Sequence, residues 1–261
     1  MSLQKFPLAT VSKIRQYIQN TLALTDTEQQ LQVWTGLDDL EPPEPTSLDD
    51  LSGLFQFGGL DPEEITIPIG HWQISTVNPA DALLKLPGLW LRPEFRLVSF
   101  LYRDAEAGKG AVFAVPQDYS TTAWLEKAMS KSRDITQPPQ PEGAIASFME
   151  AVDGDGSAAS FLLASLLRRE LEEFGALGQH RDWSHHRIID AIPPQAKWRW
   201  QGNPPKDLAP KARLLPDGQA ATEFFTCRLK SPVAIFRHLD QYPLRQYKSS
   251  NLDKPIAAAY R

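Results

Sequence analysis

Between Ser157 and Phe174 the apolar residues Phe161, Leu162, Leu163, Leu166, Leu167, Leu171 and Phe174 recur at helical spacing. Ser157 stands ahead of the run as an N-cap and Gly175 behind it as a stop, so this stretch predicts the best-defined helix of the chain. Thr10 followed by Val11, Ile14, Ile18 and Leu22 predicts another, and Thr25-Asp26-Thr27-Glu28 is a capping-box pattern opening a helix to about Trp34. Residues 95–102 and 111–115, rich in β-branched and aromatic residues, flank the polar residues 104–110, which predicts an antiparallel pair with a long hairpin loop. Alternation predicts strands at 65–67 and 71–75, and residues 198–200, 212–215 and 223–229 also read as strands, the last two around Pro216-Asp217-Gly218. Asn78-Pro79 predicts a short helix ending before Pro87, and Ser120 or Thr121 starts one through Met129. Residues 144–151 are expected to be helical, and Ser231-Pro232 to open a helix carrying Val233, Ile235, Phe236 and Leu239.

These elements define an α+β chain: antiparallel sheets with flanking helices and an N-terminal helical segment. Proline outnumbers glycine, 22 to 15, and the stretch DITQPPQPEG at 134–143 is the best candidate for a junction. It separates a first α+β portion, residues 1–135, from a second, residues 144–261; one continuous domain remains an alternative.

Charge changes the picture more than composition does. The total is −5, but residues 1–80 hold 3 basic and 11 acidic residues, whereas residues 181–261 hold 14 basic and 7 acidic ones. An acidic front and a basic tail point to intramolecular pairing or to an anionic partner for the last third. Much of the negative charge lies at 36–64, a Leu-dotted, Pro-containing stretch that reads as a surface loop or as a docking segment covering a basic face. No apolar run approaches the roughly 18–20 residues needed to span a membrane. With Cys227 as the one cysteine and no signal-like N-terminus, a cytoplasmic location is expected.

The chemistry-bearing motifs are mostly absent. There is no phosphate loop, no dinucleotide turn, no G-x-S-x-G elbow, no H-E-x-x-H and no C-x-x-C pair. Asp153-Gly154-Asp155-Gly156-Ser157 starts like a calcium loop, but the sixth position is Ala158 and the twelfth Ala164, which removes the turn glycine and the bidentate glutamate. No metal or cofactor is expected.

The one dense stretch is GQHRDWSHHRIID at 178–190. His180 and His185 are five apart, about 140° around a helix, and His185 and His186 diverge in helix or strand, so the three cannot easily share a metal. A catalytic reading would use His180, His185 or His186 as a base oriented by Asp182 or Asp190. The plainer reading packs Trp183, Ile188 and Ile189 inward and leaves the histidines as polar fillers. Lys197 and Arg199, interleaved with Trp198 and Trp200, together with Arg228, Lys230 and Arg237, form a candidate basic binding surface. The first expectation is therefore a non-catalytic binding or assembly protein acting through a protein partner. A single-stranded nucleic-acid binder using the basic surface is the alternative, and an enzyme centred on residues 180–190 the second alternative.

Overall fold

The computed structural model describes residues 2–25, 28, 70–104, 107–132 and 134–260. The architecture is α+β with mostly antiparallel sheets and an N-terminal helix, as the pattern predicts. The first half contains β1 (Ser2–Lys5), α1 (Leu8–Thr21), β2 (Trp72–Ile74), β3 (Leu89–Leu91), β4 (Phe95–Arg103), β5 (Gly108–Pro116) and α2 (Thr122–Met129). The second contains β6 (Val152–Gly154), α3 (Ala158–Glu172), β7 (His186–Ile189) and β8 (Lys197–Trp200). It closes with β9 (Lys211–Leu214), β10 (Ala220–Arg228), β11 (Ala234–Tyr242) and β12 (Ser250–Tyr260).

Helix α3 organises the molecule. Ser157 caps it by accepting from the Ser160 amide, and Gly175, with φ of +63°, takes the left-handed conformation just beyond its end. The helix packs on β9 and β10 on one side, on α1 on another, and against β3 and β5. Because it is covered on several sides, its polar residues Ser160, Ser165, Arg168, Arg169 and Glu170 are buried along with its leucines. Each must then find a partner inside the protein, since an unpaired buried charge costs several kcal/mol.

The seven-stranded sheet runs β1-β9-β10-β11-β12-β8, and one edge of β10 is shared: β9 pairs with Ala220–Glu223 and β7 with Phe225–Arg228. A three-stranded sheet, β2-β4-β5, has two covered faces. Leu97 and Leu101 join the main core with Leu166, Leu167 and Phe224, while Val98, Phe100 and Tyr102 form a second cluster with Trp72 and Leu125 of α2. The main cluster draws on residues from both sides of 134–143.

Several expectations need correction. The helix expected from Ser231-Pro232 through Leu239 does not form; residues 234–242 are β11, paired by β10 on one side and β12 on the other. Both faces of this central strand are covered near Ile235 and Phe236, so its apolar positions lose the alternation that marks a half-exposed strand. Residues 144–151 give only a short turn of 3-10 helix at Phe148–Ala151. Strands β1 and β12 were not expected, because both are largely exposed and show little alternation of apolar residues. The acidic segment 36–64, the strand at 65–67 and the helix to Trp34 lie outside the described residues. Glu28 is described, and its carboxylate accepts from the Thr25 amide as the capping box requires.

Candidate functional site

The stretch 178–190 folds as two short turns, Gly178–His180 and Trp183–His185, leading into β7. Glu173 of the chain just past α3 accepts from the backbone amides of Asp182 and Ser184, pinning the second turn. From below, Arg15 of α1 donates to Glu170 (2.6 Å) and to the carbonyls of Trp183 and His186, and Trp183 Nε1 donates to the same Glu170 oxygen at 2.7 Å. The Arg15 guanidinium lies 4.5 Å from the Trp183 ring centroid. Two helices therefore fix the position of His186, which neither the spacing nor the composition of the stretch reveals.

Four adjacent strands then contribute one side chain each to a single line of hydrogen bonds. Asp253 of β12 stands opposite His238 of β11, with Asp253 Oδ1 2.8 Å from His238 Nδ1. Thr226 of β10 lies diagonally from His238, its Oγ1 2.8 Å from His238 Nε2, and the same oxygen is 2.7 Å from Nδ1 of His186 on β7. All four project toward α3 because residues two apart on a strand share a face. Phe224 stacks on His238 at 4.9 Å and Trp183 on His186 at 5.5 Å.

The proton order in this line follows from charge. Burial pushes the His238 pKa down, against the hydrogen bond to Asp253, so the ring is neutral at pH 7. Burial would raise Asp253, but the hydrogen bond from His238 and the charge of Arg169 hold it well below the usual carboxylate range. An ionised Asp253 can only accept, so His238 donates from Nδ1 and accepts at Nε2. Thr226 must donate there and so accepts from His186 Nδ1–H. His186 is itself neutral: burial, and then the neighbouring His238 and the Arg228 and Arg15 charges, lower its pKa to about 4. Its Nε2 is left as the acceptor end of the line, with no hydrogen-bond partner among the described residues.

That nitrogen belongs to a residue lining a cleft of about 270 Å³, together with Arg169, Glu172, Glu173, His180, Asp182 and Trp183. His180 Nε2 is also buried without a hydrogen-bond partner among the described residues. Behind the cleft, Arg169 makes a bidentate pair with Asp240 (2.6 and 2.9 Å) and reaches Asp253 at 2.6 Å. Burial disfavours the Arg169 charge, but these carboxylates more than restore it and raise its pKa. Arg168 bridges Asp240 and Glu172. Among the described residues no three His, Cys, Asp or Glu side chains are placed to hold one metal ion, and no helix is long and apolar enough to cross a membrane.

Of the sequence candidates, the cleft gathers His180, Asp182 and His186 and leaves out His185 and the exposed Asp190. His185 instead supplies a backbone carbonyl to the Leu229 amide. The basic candidates do not converge. Lys197 and Arg199 sit exposed on edge strand β8, with Arg199 5.8 Å from the Tyr260 ring. Arg228 pairs with Asp182 across 3.6 Å, Lys230 is exposed, and Arg237 pairs with Glu223 on the sheet face away from α3. Thr226, His238, Asp253 and the Arg169–Asp240 pair were missed. The available signal was Arg168-Arg169-Glu170 inside the most apolar helix, three charges that a buried helix must neutralise.

No protein-family model, no curated protein and no solved structure matches the chain significantly.

Proposed function

We propose that the protein is an enzyme whose cleft performs general acid–base chemistry on a small polar substrate. The observation that carries this reading is the one-directional line Asp253–His238–Thr226–His186, which ends on an acceptor nitrogen of a cleft residue. A neutral imidazole held in one tautomer is the form that accepts a proton from water or from a substrate hydroxyl or amine. Once His186 Nε2 is protonated, Nδ1–H can pass its proton to Thr226 while Thr226 passes its own to His238 Nε2, which places the positive charge beside Asp253. His186 acts as the base; Thr226, His238 and Asp253 position it and share the charge. The cleft volume, just below the ordinary range for small-molecule sites, favours a small substrate.

Nitrogen-15 NMR of the histidines between pH 6 and 8 tests the geometry: His186 should carry its proton on Nδ1 and His238 likewise. A panel of activated esters, amides and phosphoesters offered to the full chain tests the chemistry. Any turnover found should fall by about 10²- to 10⁴-fold in H186Q. An Nε2-protonated His186, or turnover that persists in H186Q, overturns the proposal. Of the features behind the expected binding or assembly role, the acidic segment 36–64 lies outside the described residues.

A further inference from the structure

The face of the large sheet turned away from α3 carries a second, larger cleft, of about 490 Å³. Its floor is Phe225 of β10 and Ile256 of β12, and its walls include Arg237 of β11, Lys254 of β12 and Lys211 of β9. The connection from β8 to β9 runs from one side of the sheet to the other and supplies Gln201, Asn203, Lys206 and Asp207 along the remaining wall. Leu208, 5% exposed, fastens this connection to the body.

The charges in this cleft do not balance. Lys206, Lys211, Arg237 and Lys254 face two carboxylates, Asp207 and Glu223. Each carboxylate is already shared: Glu223 between Lys211 (2.8 Å) and Arg237 (2.6 Å), and Asp207 between Lys5 (3.0 Å) and Lys211 (3.8 Å). Lys206 and Lys254 form no ion pair among the described residues. A neighbouring hollow shares Lys211, Glu223 and Arg237 and adds Arg213, a further cation. Cations collected around an apolar floor repel one another unless an anion joins them.

We infer that this cleft binds a small phosphorylated molecule, its phosphoryl groups held by Lys206, Lys254 and Arg237 and its organic part lying on Phe225 and Ile256. A phosphoryl group brings up to two negative charges and several acceptor oxygens, which matches an excess of two cations with the Gln201 and Asn203 amides beside them. The volume exceeds what a lone phosphate needs and lies within the ordinary range for small-molecule sites. This site is independent of the acid–base cleft, which opens on the other face of the same strands.

The test is calorimetric titration of the full chain with pyrophosphate, adenosine monophosphate, malonate and a twelve-nucleotide single-stranded DNA. Pyrophosphate or the nucleotide should saturate one site, and K206A/K254A should weaken that binding at least tenfold, with H186Q without effect. Undiminished binding in the double variant overturns the assignment, as does failure of both phosphate probes to bind at low salt. Malonate binding as tightly as pyrophosphate would overturn the phosphoryl preference. DNA binding far tighter than either small probe would overturn it in favour of a nucleic-acid groove.

Discussion

Strands β10, β11 and β12 carry two clusters of polar and ionisable side chains, one on each face, which on β11 and β12 are a single residue apart in sequence. Thr226, His238, Asp240 and Asp253 point toward α3; Glu223, Arg237 and Lys254 point the other way. On the helix side Asp240 is fully buried while Asp253 reaches the surface, and both carboxylates are matched by Arg168, Arg169 or His238. On the far side Arg237 and Lys254 keep contact with water, Lys211 and Glu223 are part-buried, and the cations outnumber the carboxylates. Desolvation explains the difference. Charges without water must be paired at the time of folding, whereas hydrated ones can wait for a ligand. The two faces should therefore respond in opposite ways when a charge is removed.

The largest effect is expected from Asp240. Truncation to alanine leaves Arg169 with Asp253 as its remaining carboxylate and strips Arg168 of its buried partner. Breaking a buried pair from one side typically costs about 3–5 kcal/mol. Urea denaturation of D240A should show a loss of that order with little change in slope. A loss below about 1 kcal/mol would mean that water reaches Arg169 and that the two faces are not so different.

Much of the scaffold is legible in the sequence. The α3 helix with its Ser157 cap and Gly175 stop, the β4–β5 pair and the turn at Pro216-Asp217-Gly218 all follow from local pattern. The candidate site is not, for a definite reason. Its four members lie on four strands and become neighbours only through pairing registers, and no residue spacing along 186, 226, 238 and 253 encodes those. Reading 231–239 as a helix also placed His238 on the wrong kind of element, and overlooking β12 removed Asp253 from consideration. The basic residues failed differently: Arg199 and Arg228 fall in expected strands, whereas Arg237 was expected on a helix and lies in β11, and strand parity sends Arg228 and Arg237 to opposite faces.

Acid should separate the faces next. His186 has a pKa near 4 in the folded chain against an ordinary 6.5, chiefly because it is buried. The unfolded chain therefore binds more protons between those values, and stability must fall as pH drops from 6.5 toward 4. His238, lowered for the same first reason, adds to the slope in the same direction. The paired carboxylates of Asp253 and Glu223, both held below their ordinary values, extend the loss below that window. Thermal unfolding across pH 4–7 should show this decline, and H186N should flatten it. An equal slope in H186N would assign the acid sensitivity to other groups.

The smallest and most discriminating change is E223Q. Glu223 is half-buried between Lys211 and Arg237, and burial alone would raise its pKa, yet the hydrogen bonds from those two cations lower it. The Arg237 side chain remains 44% exposed, so solvent screens the pair and neutralising the carboxylate should cost about 1 kcal/mol or less. The same change raises the net positive charge of the outer cleft and frees two cations, so pyrophosphate should bind about two- to fivefold more tightly. No equivalent gain is available on the helix side, where removing Asp240 only exposes a buried charge. Calorimetry and thermal unfolding of E223Q, measured side by side, should show stability and affinity moving in opposite directions. Weaker pyrophosphate binding would mean that Glu223 orients Lys211 and Arg237 for the ligand instead of competing with it.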